Sequence, residues 1–387
     1  MRLLPRSRTL NVVAASVLAV GTVTLGGAQL MAPPPGHATT VATTASPPWA
    51  RDGFGWGYGD SAAQTTTTQA TTEATSSQLT GVVDIVTTVG FGQGEAAGTG
   101  IVLTSDGTIL TNNHVISGST SIKVTVLATG RTYTANVVGT SATNDIAVLR
   151  LEGAGGLATA PMGSSAGVTV GDEVTGVGNA GNEPGTAASP GTVTALDQQI
   201  TAGDGSGDGE TLTGLIQTDA AIASGDSGGP LLDASGRVIG IDTAAQTDRT
   251  GQTVAGYAIP IDHALDIASQ ILAGTDNATV SQGVPAFLGV QTSAAGDGQF
   301  GGWAPQSSGY AAGVTIAGVV ADSAAERAGL SAGDTITALD GTSVGGTEEL
   351  TAALGEHEPG DRVAIVWTDG SGAEHTATVT LGEGPAA

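Results

Sequence analysis

The stretch Ser224-Gly-Asp-Ser-Gly-Gly-Pro-Leu231 carries most of what this sequence predicts about fold and chemistry. A serine hydroxyl is a weak nucleophile, so Ser227 would need a neighbouring base and donors that stabilise an oxyanion. The flanking glycines let the backbone turn so that successive N–H groups point into one pocket. We therefore expect an oxyanion hole from the N–H groups of Gly225 and Ser227, with Asp226 between them, each donor contributing about 3 kcal/mol.

The base has few candidates, because the chain has five histidines. His114 follows a β-rich run in Thr111-Asn-Asn-His-Val-Ile116 and opens a turn, where catalytic groups tend to lie. The others are interpreted as surface or structural residues: His37, His263, His357 and His375. Asp145, at the start of a β-rich run, would accept the Nδ1–H of His114 and leave Nε2 free for Ser227. The order His114, Asp145, Ser227 thus predicts a catalytic triad.

Composition limits the other chemistries. With 11 basic against 36 acidic residues, the chain lacks the positive charge that binds nucleic acid. We interpret its acidity as a source of solubility. Cysteine is absent, which removes a thiol nucleophile, cysteine-bound zinc and disulfides, and we expect neither a metal nor a cofactor. Aromatic residues make up only 3% and glycine numbers 62, so a strand-rich fold with an aliphatic core is favoured.

The N-terminal part predicts export and a flexible tether. Three arginines precede an uncharged stretch within residues 1–31, the layout of a secretory signal. The stretch is also long enough to span a bilayer, so cleavage and retention as a single membrane anchor both stay open, with length favouring the anchor. Residues 32–78 are rich in Pro, Thr, Ser, Ala and Gly, which predicts a disordered stalk. Whether residues 1–31 are cleaved or retained, we expect the rest of the chain to lie outside the cytoplasm, either secreted or anchored to the membrane.

From about residue 79, short β-rich runs alternate with turn residues, as in sandwiches and barrels. The runs are Thr99–Thr104, Ile122–Leu127, Asp145–Leu151 and Arg237–Asp242. Asp106-Gly107 between two runs predicts a tight hairpin with positive φ at both residues. Apolar residues at helical spacing over residues 262–272 predict a helix, with Asp262 able to cap it.

A linker around residues 274–285 precedes a second unit of about a hundred residues, the size of a small α+β module. Its predicted strands are Phe287–Val290, Gly313–Val320, Thr335–Leu339 and Arg362–Trp367, and a short helix is predicted near residues 348–354.

The order of the three triad residues and the string around Ser227 resemble the chymotrypsin-like double β-barrel, since subtilisin-like chains and α/β-hydrolases use other orders. Four segments are similar to motifs of the HtrA (DegP-like) branch: Thr111–Ile116, Asp145–Leu149, Gln217–Ile222 and Gly240–Ala244. The resemblance covers about residues 79–383. It implies a mainly β fold, with the double β-barrel over residues 79–275 and a small α+β PDZ domain over residues 284–383.

The resemblance also implies binding residues. The carboxylate-binding loop of the PDZ domain, which captures a peptide C-terminus while the peptide adds as a strand, would be formed by Phe287, Leu288, Gly289 and Val290. The S1 pocket would be lined by Ala221, Thr243, Ala244 and Ala245. Small uncharged walls of this kind imply small or medium aliphatic side chains at the cleaved position.

Three features depart from the family's pattern. Asp226 stands where HtrA proteins usually have Asn. In the trypsin-like digestive branch an Asp here pairs with a cleaved N-terminus, so the partner of Asp226 is an open question. Ala324 replaces a proline that is common in the PDZ motif. An insertion over residues 293–313 lengthens the loop after the carboxylate site, which suggests a gate.

Together these features predict a serine endopeptidase of the cell envelope that cleaves misfolded or exported proteins and binds peptide C-termini through the PDZ domain. The resemblance implies a homotrimer, and the membrane is a partner only if the N-terminal segment is uncleaved. The alternative is a non-catalytic PDZ-based binding protein or chaperone-like holdase, which would have no reason to keep the triad residues in this order. Activity should fall below about pH 6.5, as His114 becomes protonated.

Overall fold

The computed structural model describes residues 71–179, 186–202, 210–247, 253–292 and 313–386. Strands dominate this part of the chain, as the composition predicts, and the first of them is the short β1 (Thr72–Glu73). The predicted signal or anchor, most of the predicted stalk and almost all of the insertion lie outside the described residues. Among the helices that are described, none is long and apolar enough to cross a membrane.

Six strands close into a first barrel: β2 (Val82–Val89), β3 (Gly94–Val102), β4 (Thr108–Thr111), β5 (Ser119–Val126), β6 (Arg131–Ser141) and β7 (Ile146–Leu151). The ring closes because β6 pairs with β5 on one side and with β7 on the other. Inward-facing aliphatic side chains such as Ile85, Ile109 and Leu149 are fully buried and fill it. The short helix α1 (Asn113–Ile116) follows β4.

A second barrel has the same construction: β8 (Glu173–Gly178), β9 (Ala187–Ala202), β10 (Glu210–Thr218), β11 (Pro230–Asp233), β12 (Val238–Thr247) and β13 (Thr253–Pro260). Here the closing pair is β8 with β9, and β1 pairs with β9 as an additional short strand. Helix α2 (Ile261–Leu272) follows and buries Ile267 and Ile271 against the barrels. The predicted double β-barrel is confirmed; we call the two barrels with α2 the double-barrel unit.

Two local predictions within this unit are wrong. Asp262 does not cap α2, because the N-cap residue is Pro260. The Asp262 carboxylate instead accepts hydrogen bonds from the backbone N–H and the hydroxyl of Ser165, at 2.9 and 3.0 Å. The predicted hairpin joins β3 and β4, but only Gly107 has a positive φ, of 97°, and the side chain of Asp106 accepts a hydrogen bond from Thr104.

The chain then forms a C-terminal unit, residues 286–383, preceded by β14 (Ser281–Gln282). Its strands are β15 (Ala286–Phe287), β16 (Val290–Thr292), β17 (Val314–Val319), β18 (Thr335–Leu339), β19 (Thr342–Ser343), β20 (Arg362–Thr368), β21 (Glu374–Thr380) and β22 (Gly382–Glu383). Its helices are α3 (Ala324–Ala328) and α4 (Thr347–Leu354). The main sheet has the order β16-β17-β18-β20-β21, and it covers a separate apolar core that contains Ile336 and Ile365. The predicted α+β module is therefore present.

Several contacts among the described residues bind the C-terminal unit to the double-barrel unit. The predicted linker is not free, because β14 pairs with β6 and Val280 is fully buried. The rings of Phe91 and Phe287 are stacked, with their centroids 5.1 Å apart. Beyond the C-terminal unit, Ala386 exchanges backbone hydrogen bonds with the first barrel: its N–H donates to Ser119 at 2.9 Å and its carbonyl accepts from Gly118 at 2.7 Å.

Candidate active site

His114 and Asp145, both on connections of the first barrel, form a direct hydrogen-bonded pair. The Nδ1 atom of His114 lies 3.0 Å from Oδ1 and 2.9 Å from Oδ2 of Asp145. The backbone N–H of His114 also donates to Oδ1 of Asp145, at 3.0 Å. The imidazole is thus anchored on its Nδ1 side, which is the arrangement that an oriented base requires.

The position of Asp145 follows from a short 3-10 turn, Ala142–Asn144, that ends just before it. Asp145 has φ 52°, an uncommon conformation for a residue other than glycine. Asn112, beside His114, donates from Nδ2 to the Asp145 carbonyl at 2.8 Å and holds this backbone in place. The carboxylate is 2% exposed and points to the imidazole rather than to solvent.

Thr243 on β12 connects this pair to Ser227. Its hydroxyl donates to Oδ2 of Asp145, and its carbonyl accepts a hydrogen bond of 3.3 Å from Oγ of Ser227. The sequence predicted Thr243 as a wall of the S1 pocket, but its side chain is 2% exposed and faces Asp145. The three predicted triad residues therefore lie around one threonine at the junction of the two barrels.

The turn that carries Ser227 lies between β10 and β11, and Thr99 holds its backbone. Thr99 of the first barrel donates from its hydroxyl to the Gly225 carbonyl at 2.7 Å and from its N–H to the Ser227 carbonyl at 2.8 Å. Gly228 has φ 86°, and a methyl group placed on it would lie 2.1 Å from the Thr99 carbonyl oxygen, so only glycine fits there.

The backbone N–H groups of Gly225 and Ser227 donate to no backbone acceptor within the described residues. With the carbonyls of both residues held by Thr99, these N–H groups are the donors that the turn can offer to a substrate oxygen. We call residues 225–227 the oxyanion turn.

Asp226, in the middle of this turn, is 2% exposed. Its Oδ2 accepts the N–H of Ala223 at 2.9 Å, whereas Oδ1 has no hydrogen-bond partner among the described residues. Burial raises the pKa of Asp226 to about 7.

A second buried acid, Asp242, lies beside Asp226 and was missed by sequence reasoning. Asp242 is fully buried, and neither of its carboxylate oxygens has a hydrogen-bond partner in the described part of the chain. Burial, and then the charge of Asp226, raise the pKa of Asp242 well above its usual range. The only signal in the sequence was a charged residue at the end of a β-rich run.

The remaining residues predicted for the S1 pocket lie near the turn. Ala221 is half-buried and accepts a hydrogen bond of 3.1 Å from Oγ of Ser189. In β12, Ala244 is buried and Ala245 half-buried. The sequence did not indicate Ile222, which packs between two glycines of the second barrel. Methyl groups on Gly176 and Gly256 would lie 2.3 and 2.5 Å from the Ile222 side chain.

The predicted carboxylate-binding loop lies between β15 and β16. Gly289 has φ 89°, and Leu288 is buried in the core of the C-terminal unit. The carbonyls of Leu288 and Gly289 accept hydrogen bonds from Ala325 and Val320, at 2.8 and 2.9 Å. The N–H groups of Leu288 and Gly289 donate to no backbone acceptor that the structure describes, and β16 is an edge strand of its sheet.

The other three histidines that the structure describes contact other side chains. Nε2 of His263 lies 3.0 Å from Oδ1 of Asn144. Nδ1 of His357 lies 3.7 Å from Oδ2 of Asp361, and Nε2 of His375 lies 2.7 Å from Oδ2 of Asp369. His37 lies outside the described residues. In the part of the chain that is described, no group of three or more His, Asp or Glu side chains could hold a metal ion.

Two protein families match separate parts of the chain. The family described as "Trypsin-like peptidase domain" matches residues 98–241, and the family described as "PDZ domain" matches residues 286–380. Serine protease PepD of Mycobacterium tuberculosis is 33% identical over 76% of this chain and 62% of its own length. Putative serine protease HhoA of Synechocystis is 37% identical over 64% of this chain and 61% of its own length.

A probable periplasmic serine endoprotease DegP-like of Halomonas elongata is 35% identical over 74% of this chain and 56% of its own length. The chain therefore spans about three fifths of the length of these curated relatives. A solved structure, "HtrA-type protease AlgW with tripeptide", aligns at 28% identity over 80% of this chain and 97% of that chain, with a TM-score of 0.46.

Proposed function

The chain is a homologue of the HtrA/DegP-like serine proteases, with a trypsin-like peptidase domain followed by a PDZ domain, and on this premise we propose that it is a serine endopeptidase. The observation that supports this most is the hydrogen-bonded network in which Thr243 links the His114–Asp145 pair to Ser227. A binding protein has no use for this network, so the holdase alternative is disfavoured.

In the proposed reaction, His114 takes the proton of Ser227 as Oγ attacks the substrate carbonyl, and it later gives that proton to the leaving amine. Asp145 holds the imidazole in the tautomer that carries its proton on Nδ1. The N–H groups of Gly225 and Ser227 receive the negative charge that develops on the carbonyl oxygen. No metal and no cofactor takes part in this scheme.

Specificity follows from the walls near Ser227. We propose an S1 site formed by Ala221, Ala244 and Ala245, and these side chains offer no charge to a Lys or Arg of the substrate. The site should accept small or medium aliphatic side chains, because its walls are small and uncharged.

We further propose that residues 287–290 bind the C-terminal carboxylate of a peptide that pairs with β16. The N–H groups of Leu288 and Gly289 and the edge position of β16 support this assignment. Unfolded or exported proteins would then be captured by the PDZ domain and cleaved by the peptidase domain.

The proposed place of action is outside the cytoplasm. The basic and apolar pattern of residues 1–31 supports export, and several relatives are named as periplasmic. Retention of that segment as an anchor, and assembly into a homotrimer, stay predictions. N-terminal sequencing of the native protein tests the first, and light scattering of the purified chain tests the second.

The decisive test is cleavage of an unfolded protein such as casein by the full chain and by Ser227→Ala. Loss of the nucleophile should lower kcat/KM by at least about a thousandfold. Ser224→Ala is the matched control, because Ser224 is an exposed serine of the same loop and should retain full activity. Equal cleavage by Ser227→Ala and the unmutated chain would refute the proposal and favour the holdase.

A further inference from the structure

Two neighbouring carboxyl groups, which we call the acid pair, lie directly behind the oxyanion turn and have no role in the reaction above. Both are almost completely removed from water, since Asp226 is 2% and Asp242 0% exposed. Three of their four oxygens have no hydrogen-bond partner among the described residues. Two ionised carboxylates so placed would repel each other without water to screen them, which is costly.

The backbone of the acid pair holds the oxyanion turn. Asp226 lies between the two residues whose N–H groups would bind the oxyanion. Asp242 clamps the residues that follow Ser227, because its carbonyl accepts the N–H of Gly228 at 2.8 Å and its N–H donates to the Gly229 carbonyl at 2.9 Å. A change in the distance between the two carboxyl groups would therefore move the donors of the turn.

Strand β8 sets the place of both carboxyl groups. A methyl group on Gly178 would lie 2.5 Å from Oδ1 of Asp226, and one on Gly176 would lie 3.0 Å from Oδ2 of Asp242. Residues two apart in a strand point to the same face, so the two carboxyl groups lie side by side over one glycine-lined surface. They cannot turn away into solvent.

Among the described residues, no basic side chain is paired with either acid. Arg237, between β11 and β12, is paired with Asp233 at 3.0 Å. The other charged or titratable groups on the strands and turns around the acid pair are Glu95 on β3, Glu173 on β8, Asp197 on β9, Asp219 before the turn, Tyr257 on β13 and the His114–Asp145 pair beyond Thr243. A proton is therefore the simplest neutralising partner.

We propose that Asp226 and Asp242 share one proton in the working protein, held as an O–H of Asp242 that donates to Oδ1 of Asp226, and that this bond positions the oxyanion turn. One proton satisfies Oδ1 of Asp226 and halves the charge of the pair, as in other paired carboxyl groups. The proton stays within the pair and is not transferred to the substrate. The two acids are positioning residues, and the inference rests on the proposed protease function.

The sign of the pH dependence follows from this arrangement. Burial raises the pKa of Asp226 to about 7, and burial together with the charge of Asp226 raises the pKa of Asp242 well above its usual range, so the shared proton is lost only on the alkaline side. Loss of this proton leaves two buried negative charges behind the turn, and kcat should fall as the pH rises. Between the reference pKa of 3.8 and about 7 the folded protein binds more protons than the unfolded chain, so its stability falls across that window.

The test compares Asp242→Asn with Asp242→Ala in the full chain, using a peptide substrate across the pH range. An asparagine amide at position 242 can donate to Asp226 but cannot titrate. Asp242→Asn should therefore keep kcat within about threefold at neutral pH and abolish the alkaline decline. Asp242→Ala leaves Oδ1 of Asp226 without a donor and should lower kcat by roughly tenfold to hundredfold, with a smaller effect on KM. Asp276→Asn, at an exposed site, is the control and should leave the profile unchanged.

A second measurement does not depend on activity or on the folding of these variants. In the Ser227→Ala chain, carboxyl carbon NMR should show one aspartate that titrates near pH 7 and another that is still protonated there. Ionisation of both members of the acid pair below about pH 5, close to the ordinary value, would overturn the proposal. Asp84, whose pKa burial raises to about 6, is a separate group and does not decide the test.

Two further outcomes would also count against the shared proton. The first is an alkaline decline that is identical in Asp242→Asn and the unmutated chain. The second is activity that depends on sodium when choline replaces it at constant ionic strength, since the pair would then hold a cation. Absence of cleavage by the unmutated chain would contradict the protease function itself, and it is distinguishable because the NMR titration does not require cleavage.

Discussion

At the scale of single residues, Thr243 has more influence than its size suggests. Its hydroxyl reaches Asp145 while its carbonyl reaches Ser227, so one residue of the second barrel holds two groups that come from different barrels. A hydrogen bond to a charged, buried acceptor contributes about 1.5–3 kcal/mol. Thr243 therefore orients the carboxylate that orients His114.

Thr243→Val tests this role, because valine keeps the shape and the backbone carbonyl but removes the hydroxyl. We expect kcat to fall by roughly tenfold, since Asp145 loses one of the donors that fix it. Thr243→Ser restores a hydroxyl and should recover most of the activity. Steady-state kinetics on one peptide substrate provides the measurement, and a valine variant as fast as the unmutated chain would show that the hydroxyl is dispensable.

The sequence indicates candidate residues most clearly where a local string carries the chemistry. Ser227 has a whole glycine-rich turn around it, and His114 had few rivals. Asp242 and the role of Thr243 could not be predicted, because both depend on contacts with residues far along the chain. A buried acid looks in sequence like any other charge at the end of a strand.

At the scale of elements, closed barrels explain why the site lies on connections. Each strand of the two rings is paired on both sides, so the rings themselves are rigid and leave the loops free to carry function. The strands and α2 were predictable from periodicity. The sequence could not show that Asp262 leaves the start of α2 uncapped. The carboxylate of Asp262 binds Ser165, which is 97 residues away in the chain.

The loop between β15 and β16 gives a prediction at this scale. In Gly289→Ala the added methyl would lie 2.1 Å from Cβ of Ser323, so the loop must shift. Binding of a labelled peptide with a free C-terminus should weaken at least about tenfold, and fluorescence anisotropy would measure it.

Gly372→Ala is the matched control for that variant. Gly372 has φ 85°, close to the 89° of Gly289, but open space lies around it. The Gly372→Ala variant should therefore carry the same backbone strain of an alanine at positive φ, but it should bind the peptide as well as the unmutated chain does. Equal weakening in both variants would mean that strain rather than loop geometry is responsible.

At the scale of the whole molecule, the peptidase and PDZ domains are less separate than the sequence suggests. The segment predicted as a linker contributes β14 to the first barrel, and Val280 lies in the apolar core of the double-barrel unit. Local composition could not reveal the pairing of β14 with β6. In the sequence, a short polar stretch that pairs with a distant strand looks the same as a loop.

This attachment predicts the result of cutting the chain. A protease recognition site inserted at the exposed residues 276–279 would, once cut, leave β14 and Ala386 on the C-terminal fragment. We expect the two fragments to elute together in gel filtration, because both contacts still bind the first barrel. The same cut in Val280→Asp, which places a charge in the core, should release the fragments. Separation without that substitution would contradict the prediction.

The docking of Ala386 has a consequence for avidity. Two backbone hydrogen bonds and a small side chain could not hold a separate peptide against Gly118 and Ser119. Because β14 and the Phe91–Phe287 stack hold the C-terminal unit in place, however, Ala386 meets Gly118 and Ser119 at an effective concentration of about a millimolar. A contact this weak can then persist, and a ligand that separates Phe91 from Phe287 would also release Ala386 from the start of β5, just after α1.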